Sequence, residues 1–289
     1  GLSDKYFATL IVNVKKEKAT FVLEKKGSVV IGELIMPPVE INPSESAEFS
    51  FLLYFGPKEL KRLKELGFHL DKAVQFGFFE LLAKILLYVL NWFYKFTHNY
   101  GIAIILLTIV IKILFWPLTH TSYKSMRDMQ KLQPHIARIR KQYKDDKEAL
   151  NRELMNLYRT YKVNPFGGCL PILLQIPVFI ALYKVLLYAI ELRHAPFITY
   201  FPFTKRIWLA DLSAKDPYYI TPILMGISMV VQQKMTPSSL DPRQSKFMIL
   251  MPIFFTFLFL KFPSGLVIYW LVNNVLSIIQ QAYINRKIK

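Results

Sequence analysis

The 289-residue sequence has few of the features from which enzyme active sites and metal centres are built. Its single cysteine, Cys169, excludes an internal disulfide and a cysteine-rich metal site. The sequence also lacks a nucleophile-elbow motif, a phosphate-binding glycine loop, zinc-ligand spacing and carboxylates paired at catalytic spacing. These absences predict a protein that is not an enzyme and that uses no cofactor or metal.

Acidic residues are also scarce, with 20 Asp and Glu against 37 Lys and Arg, which gives a formal net charge of +17. A surface this basic can bind nucleic acid. Here, however, the basic residues crowd into loops between apolar runs, as Lys and Arg do on the cytoplasmic side of membrane proteins. We therefore interpret the charge mainly as a determinant of membrane topology.

Apolar residues make up 53% of the chain, and the mean hydropathy is +0.28. They cluster in runs close to the ~20 residues that cross ~30 Å of hydrocarbon. The sequence thus predicts an α-helical integral membrane protein in which residues 99–289 form the membrane core. Five transmembrane helices are expected, at about 101–118, 169–190, 218–235, 247–262 and 265–284.

Residues 1–56 have a different pattern, typical of β-strands. Stretches rich in β-branched and aromatic residues alternate with charged turns, and they lie at 7–14, 20–24, 29–36 and 48–54. So few residues bury little surface, and we predict that they are the last strands of a larger β-sandwich. The chain begins without an initiator Met or a signal pattern, so we expect further sequence upstream.

Residues 57–98 are predicted to be a linker helix followed by an amphipathic helix at 73–98. The apolar stretch is interrupted by five polar residues, Glu80, Lys84, Asn91, Lys95 and His98. They fall within an arc of roughly 60° on a helix. This suits a helix in the membrane interface that turns Phe78, Phe79, Trp92 and Phe93 toward lipid. The alternative is a sixth spanning helix.

Residues 119–164 are strongly basic and are predicted to form a helical hairpin. Apolar residues recur every three or four positions on both sides of a polar break at 144–147. Pro134 should bend the first arm. By the positive-inside rule, the hairpin and the basic C-terminal tail are cytoplasmic, and with five crossings the β-rich start is on the opposite side.

Several polar residues interrupt the predicted spans: Thr108, Lys112, Gln175, Gln232, Gln233, Asn273 and Asn274. In lipid such groups face protein or water. Lys112 costs about 2.5 to 3.5 kcal/mol near a helix centre, and Thr108 lies on the same helix face. Lys112 therefore either serves a wet interior site or snorkels to nearby headgroups. The spacing does not decide between these alternatives.

The order of several motifs resembles that of the YidC insertases, a family that includes the mitochondrial Oxa and thylakoid Albino proteins. The matching segments are Val163 to Pro171, Gln175 to Phe179, Asp216 to Ile220, Gln233 to Met235 and Phe262 to Leu266. The resemblance covers Gly56 to the C-terminus. The β-rich start resembles the end of the periplasmic domain in the Gram-negative branch, in which an N-terminal anchor helix precedes that domain.

The resemblance implies an insertase of the bacterial inner membrane that works without ATP hydrolysis, alone or beside the Sec translocon. Five helices would surround a hydrophilic groove that is open to cytoplasm and lipid and closed outside. The groove would draw polar segments of a nascent membrane protein partway into the bilayer. The apolar helix of that substrate would slide along the second and fourth spans.

Carried over position by position, the resemblance puts the positive charge of the groove on Lys112, where most relatives have Arg. Lys keeps the charge but lacks the planar fork of a guanidinium. The resemblance also puts Thr108 and Trp270 in the groove, and it puts Ile176 and Phe179 where the second span contacts substrate. Three further lining residues are expected from polarity alone, Gln175, Gln232 and Asn273, and Gln233 could replace Gln232.

Two other functions remain open at this stage. A transporter or channel would let small solutes cross the membrane of sealed vesicles. A scaffold that holds other membrane proteins would keep its function after the charge of Lys112 is removed. The basic hairpin and C-terminal tail are also expected to contact the ribosome or targeting factors, because clustered cations attract RNA. The alternative for these segments is a solvated surface that only sets topology.

Overall fold

The computed structural model describes residues 1–15, 17–164, 170–203, 205–235 and 242–287. Residues 165–169 of the family-like motif, which include Cys169, lie outside the described residues, as do the last two residues of the basic tail.

The chain divides into two compact units. The first holds residues 1–77 with 188–191, and the second holds 78–187 with 192–289. This division falls later than the predicted boundary after residue 56, and the three predicted domains stay a prediction.

The first unit is built from antiparallel strands. β1 (Leu2–Ser3), β2 (Phe7–Asn13) and β5 (Phe51–Pro57) form one sheet in that order, whereas β3 (Thr20–Lys26) and β4 (Val29–Ile35) form a separate hairpin. The four strands predicted from the sequence are present, although the last begins at Phe51 and not near residue 48. Four aromatic and aliphatic side chains of the larger sheet stay exposed: Phe7, Phe51, Leu53 and Phe55.

A short helix, α1 (Leu60–Leu66), and a 3₁₀ turn (Leu70–Ala73) follow the strands. Leu60, Leu63 and Leu70 are buried in this region. Lys58 Nζ donates a 2.5 Å hydrogen bond to the carbonyl of Asp4 and so ties the linker to the start of the sheet. Desolvation by burial lowers the pKa of Lys58, and the nearby charge of Asp4 opposes that shift.

The second unit contains nine described α-helices: α2 (Glu80–Thr97), α3 (Tyr100–Leu114), α4 (Trp116–Lys131), α5 (Gln133–Gln142), α6 (Lys147–Thr160), α7 (Leu170–Tyr188), α8 (Ile220–Met235), α9 (Pro242–Phe259) and α10 (Ser264–Lys287). Two three-residue strands, β6 (Ile198–Tyr200) and β7 (Ile207–Leu209), pair in the connection before α8. α10 packs against both α3 and α8, and α8 packs against α9. A Cβ at Gly226 would collide with the Thr256 hydroxyl, so glycine permits the close approach of α8 and α9.

Each predicted span overlaps one of these helices, but few described helices could cross a bilayer unaided. By length and apolar composition, Ser264–Arg286 could cross as one helix, and α3 with α4 could cross as a span bent by 62°. The apolar stretches of α7 and α9 are shorter, at Leu173–Tyr188 and Leu250–Phe259. Five crossings therefore stay a prediction.

The first predicted span was expected to run to Leu118, yet α3 ends at Leu114 and a new helix begins at Trp116. Proline has no amide hydrogen to donate and is best accommodated in the first turn of a helix. Pro117 occupies that position in α4. The break at Phe115 thus has a local cause that hydrophobic length alone does not reveal.

In the basic segment, α5 packs against α6 to form a helical hairpin. Its first arm is broken at Leu132, with Pro134 in the first turn of α5, and its second arm is α6. Met129, Leu132 and Ile136 form its core, against which four partly buried side chains pack: Leu154, Leu157, Tyr158 and Val163. The Asp146 side chain caps α6 by accepting hydrogen bonds from the amides of Glu148 and Ala149.

α2, the predicted interfacial helix, has two unlike faces. One face packs on α3 and buries Ala83, Leu86, Leu87 and Leu90. Large apolar side chains of the other face are exposed at helical spacing: Leu81, Ile85, Tyr88, Trp92 and Phe96. Of the residues expected to face lipid, Phe78 and Trp92 are exposed, whereas Phe79 and Phe93 are partly buried.

Candidate functional site

The candidate site is centred on one side of α10. Six residues recur there every three or four positions, which places them along one helix face: Trp270, Asn273, Asn274, Ser277, Gln280 and Gln281. We call this set the polar stripe of α10. Four of its members, Asn274, Ser277, Gln280 and Gln281, are at most 4% exposed, so the stripe is polar in composition but hidden from solvent.

Lys112 reaches the polar stripe from the last turn of α3. Its Nζ donates a 2.6 Å hydrogen bond to the Ser277 hydroxyl, which in turn donates a 2.8 Å hydrogen bond to the main-chain carbonyl of Asn273. The structure therefore brings together two predicted site residues, Lys112 and Asn273, through a serine that the sequence analysis did not select. The partly buried ammonium thus contacts a neighbouring helix, and its role in a wet interior site stays a prediction.

Thr108 lies one turn before Lys112 and is fully buried. Its hydroxyl donates a 2.6 Å hydrogen bond to the carbonyl of Ile104 in the same helix. A threonine bonded in this way has used its only donor, and its hydroxyl oxygen can still accept hydrogen bonds. Thr108 thus shares a helix face with Lys112.

On its other side, the polar stripe is tied to α8. Asn274 Nδ2 donates a 3.0 Å hydrogen bond to the Ser228 hydroxyl, which donates to the carbonyl of Met225. Gln281 Nε2 donates a 2.6 Å hydrogen bond to the carbonyl of Met235. These bonds fix α8 against α10 at two levels.

Three buried polar atoms of the polar stripe have no hydrogen-bond partner: Asn273 Oδ1 and both side-chain amide atoms of Gln280. Such atoms are rare in folded proteins, and each costs about 1–3 kcal/mol. The two other atoms of this kind among the described residues lie on Arg127 and Gln133 in the hairpin region. The polar stripe beside Lys112 therefore has buried hydrogen-bond donors and acceptors that no other described residue pairs with.

The start of the polar stripe is aromatic. Phe179 of α7 meets Trp270 edge-to-face with ring centroids 4.8 Å apart, and Phe255 and Phe259 of α9 contact the same indole. Gln175 Nε2 donates a 2.8 Å hydrogen bond to the hydroxyl of Tyr269. The structure thus joins Phe179, predicted to contact substrate, with Trp270, predicted to line the groove, two helical turns or roughly 10 Å along α10 from Ser277.

The remaining predicted site residues lie apart from these clusters. Ile176 is 44% exposed on the surface of α7. Gln232 and Gln233 are both partly buried on α8, so burial does not decide which of them belongs to the site.

The N-terminal end of α10, which precedes the polar stripe, is closed by the connection between α7 and α8. Asp216 is 1% exposed, and its carboxylate accepts hydrogen bonds from Trp208 Nε1 and from the main-chain amide of Tyr218. It also accepts bonds from the amide and the hydroxyl of Thr221 at the start of α8. We call this arrangement the Asp216 network.

The same connection seals the first turn of α10. The amides of Ser264 and Gly265 donate to the carbonyls of Ala214 and Leu212, and Leu212 is fully buried. On α3, Phe197 packs so closely over Gly101 that a Cβ there would collide with its ring. Among the described residues of this connection and the first turn of α10, no buried side-chain polar atom lacks a hydrogen-bond partner.

The chemistry of the site is that of binding. A primary ammonium, serine, asparagine and glutamine side chains lie among apolar helices, where they can pair with polar or acidic groups. Within the described residues, no group of three or more His, Cys, Asp and Glu residues could hold a metal ion.

Family models match both parts of the chain. The model described as "60Kd inner membrane protein" covers residues 92–289, and the model described as "YidC periplasmic domain" covers residues 1–89. The chain belongs to the YidC family.

The family assignment agrees with individual relatives. The chain is 55% identical over 289 residues to the membrane protein insertase YidC of Geobacter metallireducens, a match that spans the whole chain and 52% of that relative. It is 61% identical over 236 residues to the YidC of Maridesulfovibrio salexigens, which covers 82% of this chain and 44% of that relative. The chain spans about half the length of the curated YidC relatives that it matches.

A solved YidC structure supports the fold. The crystal structure of an active YidC insertase with its first transmembrane domain resolved matches with a TM-score of 0.56 at 22% identity. The match covers 94% of this chain and 78% of the crystallised one. Together with the family models, it establishes a mostly helical YidC-type fold with a β-rich N-terminal part.

Ser277, Tyr269, Gln280 and Gln281 were not among the site residues predicted from the sequence. Helical spacing could have found three of them, because Asn273, Ser277 and Gln281 are four residues apart and Gln280 is seven residues after Asn273. Tyr269 could not have been selected in this way, because a tyrosine within an apolar run is usually an ordinary packing residue.

Proposed function

We propose that the protein is a membrane protein insertase and chaperone of the bacterial inner membrane. It would insert, fold and help to assemble integral membrane proteins, alone or with the Sec translocon. The observation that carries this proposal is the hydrogen bond from Lys112 to Ser277 beside unpaired amide atoms of the same helix. The names of the relatives support the same function.

The proposed architecture is five transmembrane helices around a hydrophilic groove that opens to the cytoplasm and the lipid. The β-rich region would be periplasmic, the hairpin and C-terminus cytoplasmic, and α2 would lie in the membrane interface. Exposed apolar side chains on α3, α8 and α9, such as Ile113, Ile227 and Phe257, support contact with lipid, because soluble surfaces rarely gather them in extended patches. The paired Asp216 network supports closure on the periplasmic side.

In the proposed mechanism, the groove replaces part of the water that a polar substrate segment loses on entering the membrane. Lys112 supplies a positive charge where the effective dielectric constant is low, so its attraction for an acidic group exceeds that in bulk water. Thr108, Gln175, Gln232, Trp270 and Asn273 would line this groove. The unpaired Asn273 Oδ1 and the unpaired side-chain amide of Gln280 support such a role, because an entering polar group could bond to them.

The apolar part of a substrate would follow a different surface. Ile176 is exposed on α7, and Phe179 lies between that surface and Trp270. A substrate helix passing Ile176 would therefore lie beside the aromatic start of the polar stripe. No covalent step or nucleotide hydrolysis enters this mechanism, in which the favourable transfer of the substrate helix into lipid drives insertion.

The proposed partners on the cytoplasmic side are the ribosome or targeting factors. The exposed side chains of the hairpin include several basic ones, such as Lys124, Arg138 and Lys141. Clustered cations of this kind bind RNA in a salt-dependent manner. This contact is separable from insertion, because it lies outside the membrane-spanning helices.

The function is tested with full-length protein in sealed proteoliposomes that are supplied with substrates carrying acidic, neutral or basic translocated tails. We expect Lys112→Ala to reduce insertion of the acidic-tailed substrate by roughly tenfold, which corresponds to one lost hydrogen bond to a charged group. The basic-tailed substrate should be little affected, and Lys112→Arg should retain or improve insertion. Both variants should fold, because the Ser277 hydroxyl keeps its bond to the Asn273 carbonyl.

The matched control is Lys184→Ala, which removes the positive charge of a different lysine, on α7. It should not change the dependence on tail charge. Stable Lys112→Ala protein that inserts acidic tails at the unmutated rate would contradict the role of the charge. Vesicles that become permeable to small solutes without a substrate would favour a channel.

A further inference from the structure

We propose that Ser277 is a positioning residue that holds the Lys112 ammonium against α10 and thereby sets the preference of the groove for acidic substrate segments. This inference rests on the proposed insertase function and concerns the same site. Ser277 lies in a different helix from Lys112 and is 165 positions away in the sequence.

The geometry explains why a lysine needs such a partner. An ammonium is a compact charge on a flexible four-carbon stem, whereas the guanidinium of arginine is planar and rigid. Without a hydrogen-bond partner, the Lys112 side chain at the end of α3 could extend toward the lipid headgroups. The 2.6 Å bond to Ser277 Oγ holds the charge at the helix interface instead.

Ser277 itself is well suited to this task because its orientation is fixed. It is 3% exposed, and its proton is engaged by the Asn273 carbonyl at 2.8 Å. The lone pairs of the hydroxyl oxygen are therefore directed away from that carbonyl, and one of them accepts from Lys112. The serine therefore acts as a fixed acceptor for Lys112, because its own proton is already donated to the Asn273 carbonyl.

An ammonium has three N–H groups, and the bond to Ser277 uses one of them. One turn to either side of Ser277 along the polar stripe lie Asn273 Oδ1 and the Gln280 amide, both buried and without a partner. A carboxylate or peptide group entering beside Lys112 would meet a held cation and, at Gln280, an amide donor. This combination favours acidic and hydrogen-bonding segments over apolar ones.

The test is a double-mutant cycle of Lys112→Ala and Ser277→Ala in the full-length protein in proteoliposomes, with insertion of matched acidic-tailed and neutral-tailed substrates as readout. We expect Ser277→Ala to lower the ratio of acidic to neutral insertion by roughly threefold to tenfold. In the Lys112→Ala background the same change should have no further effect on that ratio, because Ser277 acts through the charge. Ser277→Thr, which retains the hydroxyl, should preserve the ratio.

The matched control is Ser228→Ala on α8, which removes a buried serine that accepts a bond from Asn274 and donates to the Met225 carbonyl. In this variant, the ratio of acidic-tailed to neutral-tailed insertion should stay unchanged. If Lys112→Ala lowers the ratio and Ser277→Ala does not, positioning by Ser277 is wrong while the groove function stands. An equal effect of Ser277→Ala with and without Lys112 would reveal a structural role and overturn the inference. A ratio that is insensitive to Lys112→Ala would contradict the proposed function as well.

Discussion

The start and the middle of α10 differ in how their buried polar groups are paired. At its start, the Asp216 carboxylate receives four hydrogen bonds, and the connection before α8 pairs with the first amides of α10. Around Ser277, by contrast, Asn273 and Gln280 keep buried atoms without partners. A satisfied network stabilises one arrangement, whereas unsatisfied groups weaken the fold and are retained where another molecule can use them.

The largest expected effect lies at the satisfied end. Asp216→Ala should lower the free energy of unfolding by roughly 3–5 kcal/mol, because it leaves the indole N–H of Trp208 and the groups at Thr221 without their acceptor. Thermal unfolding in detergent measures this loss. Asp145→Ala, at an exposed position in the hairpin turn, is the control and should change stability little. A loss below about 1 kcal/mol for Asp216→Ala would show that the network is not the main stabiliser of this end.

A smaller effect of opposite sign is expected in the polar stripe. Gln280→Leu should raise the free energy of unfolding by about 1–2 kcal/mol, because it removes buried polar atoms that have no partner. The same variant should reduce insertion of polar-tailed substrates. Stabilisation combined with loss of activity would identify Gln280 as a residue kept for function.

The neighbouring residue provides a matched control for Gln280. Gln281 is equally buried, at 1% exposed, but its amide is bonded to the Met235 carbonyl. Gln281→Leu should therefore destabilise the protein. If both substitutions shift stability in the same direction, the distinction between paired and unpaired amides does not hold.

The smallest effect on stability is expected at Tyr269, between the first turn of α10 and Ser277. Tyr269→Phe removes the acceptor of the bond from Gln175 and should cost about 1 kcal/mol of unfolding free energy. Tyr88→Phe, at a side chain that is 78% exposed, should have no measurable effect in the same unfolding experiment. Comparable losses for the two variants would mean that the Gln175 bond contributes nothing to packing of α7 on α10.

Much of the fold could be predicted from the sequence because its signals are local. Hydrophobic runs predicted the helices, the spacing of apolar residues predicted the hairpin, and β-branched stretches predicted four strands. The break at Phe115 was missed because a continuous apolar run hides a change of helix. The strands β6 and β7 were missed because three residues carry too little pattern to distinguish a strand from a loop.

The site was predictable only in part, because polarity reveals which residues need a partner but not which partner they find. Lys112 and Asn273 were selected because a cation and an amide are conspicuous in an apolar run. Ser277 was not, since a serine can bond within its own helix and its long-range contact is visible only when α3 and α10 are placed together. The same holds for Phe179 and Trp270, which were assigned to different surfaces and are in contact.

The most direct test of the central claim, that substrate passes along the polar stripe beside Lys112, is site-specific photo-crosslinking during translation of a short membrane protein. Crosslinkers replace Lys112, Ile176 and Phe179, and the control replaces Ile113, the neighbour of Lys112, whose side chain is 64% exposed. The account predicts that the three site positions capture the nascent chain, with Lys112 capturing its polar segment and Ile176 its apolar helix, whereas Ile113 captures mainly lipid. Absence of nascent-chain adducts at all three positions, in protein that inserts the substrate, would contradict it.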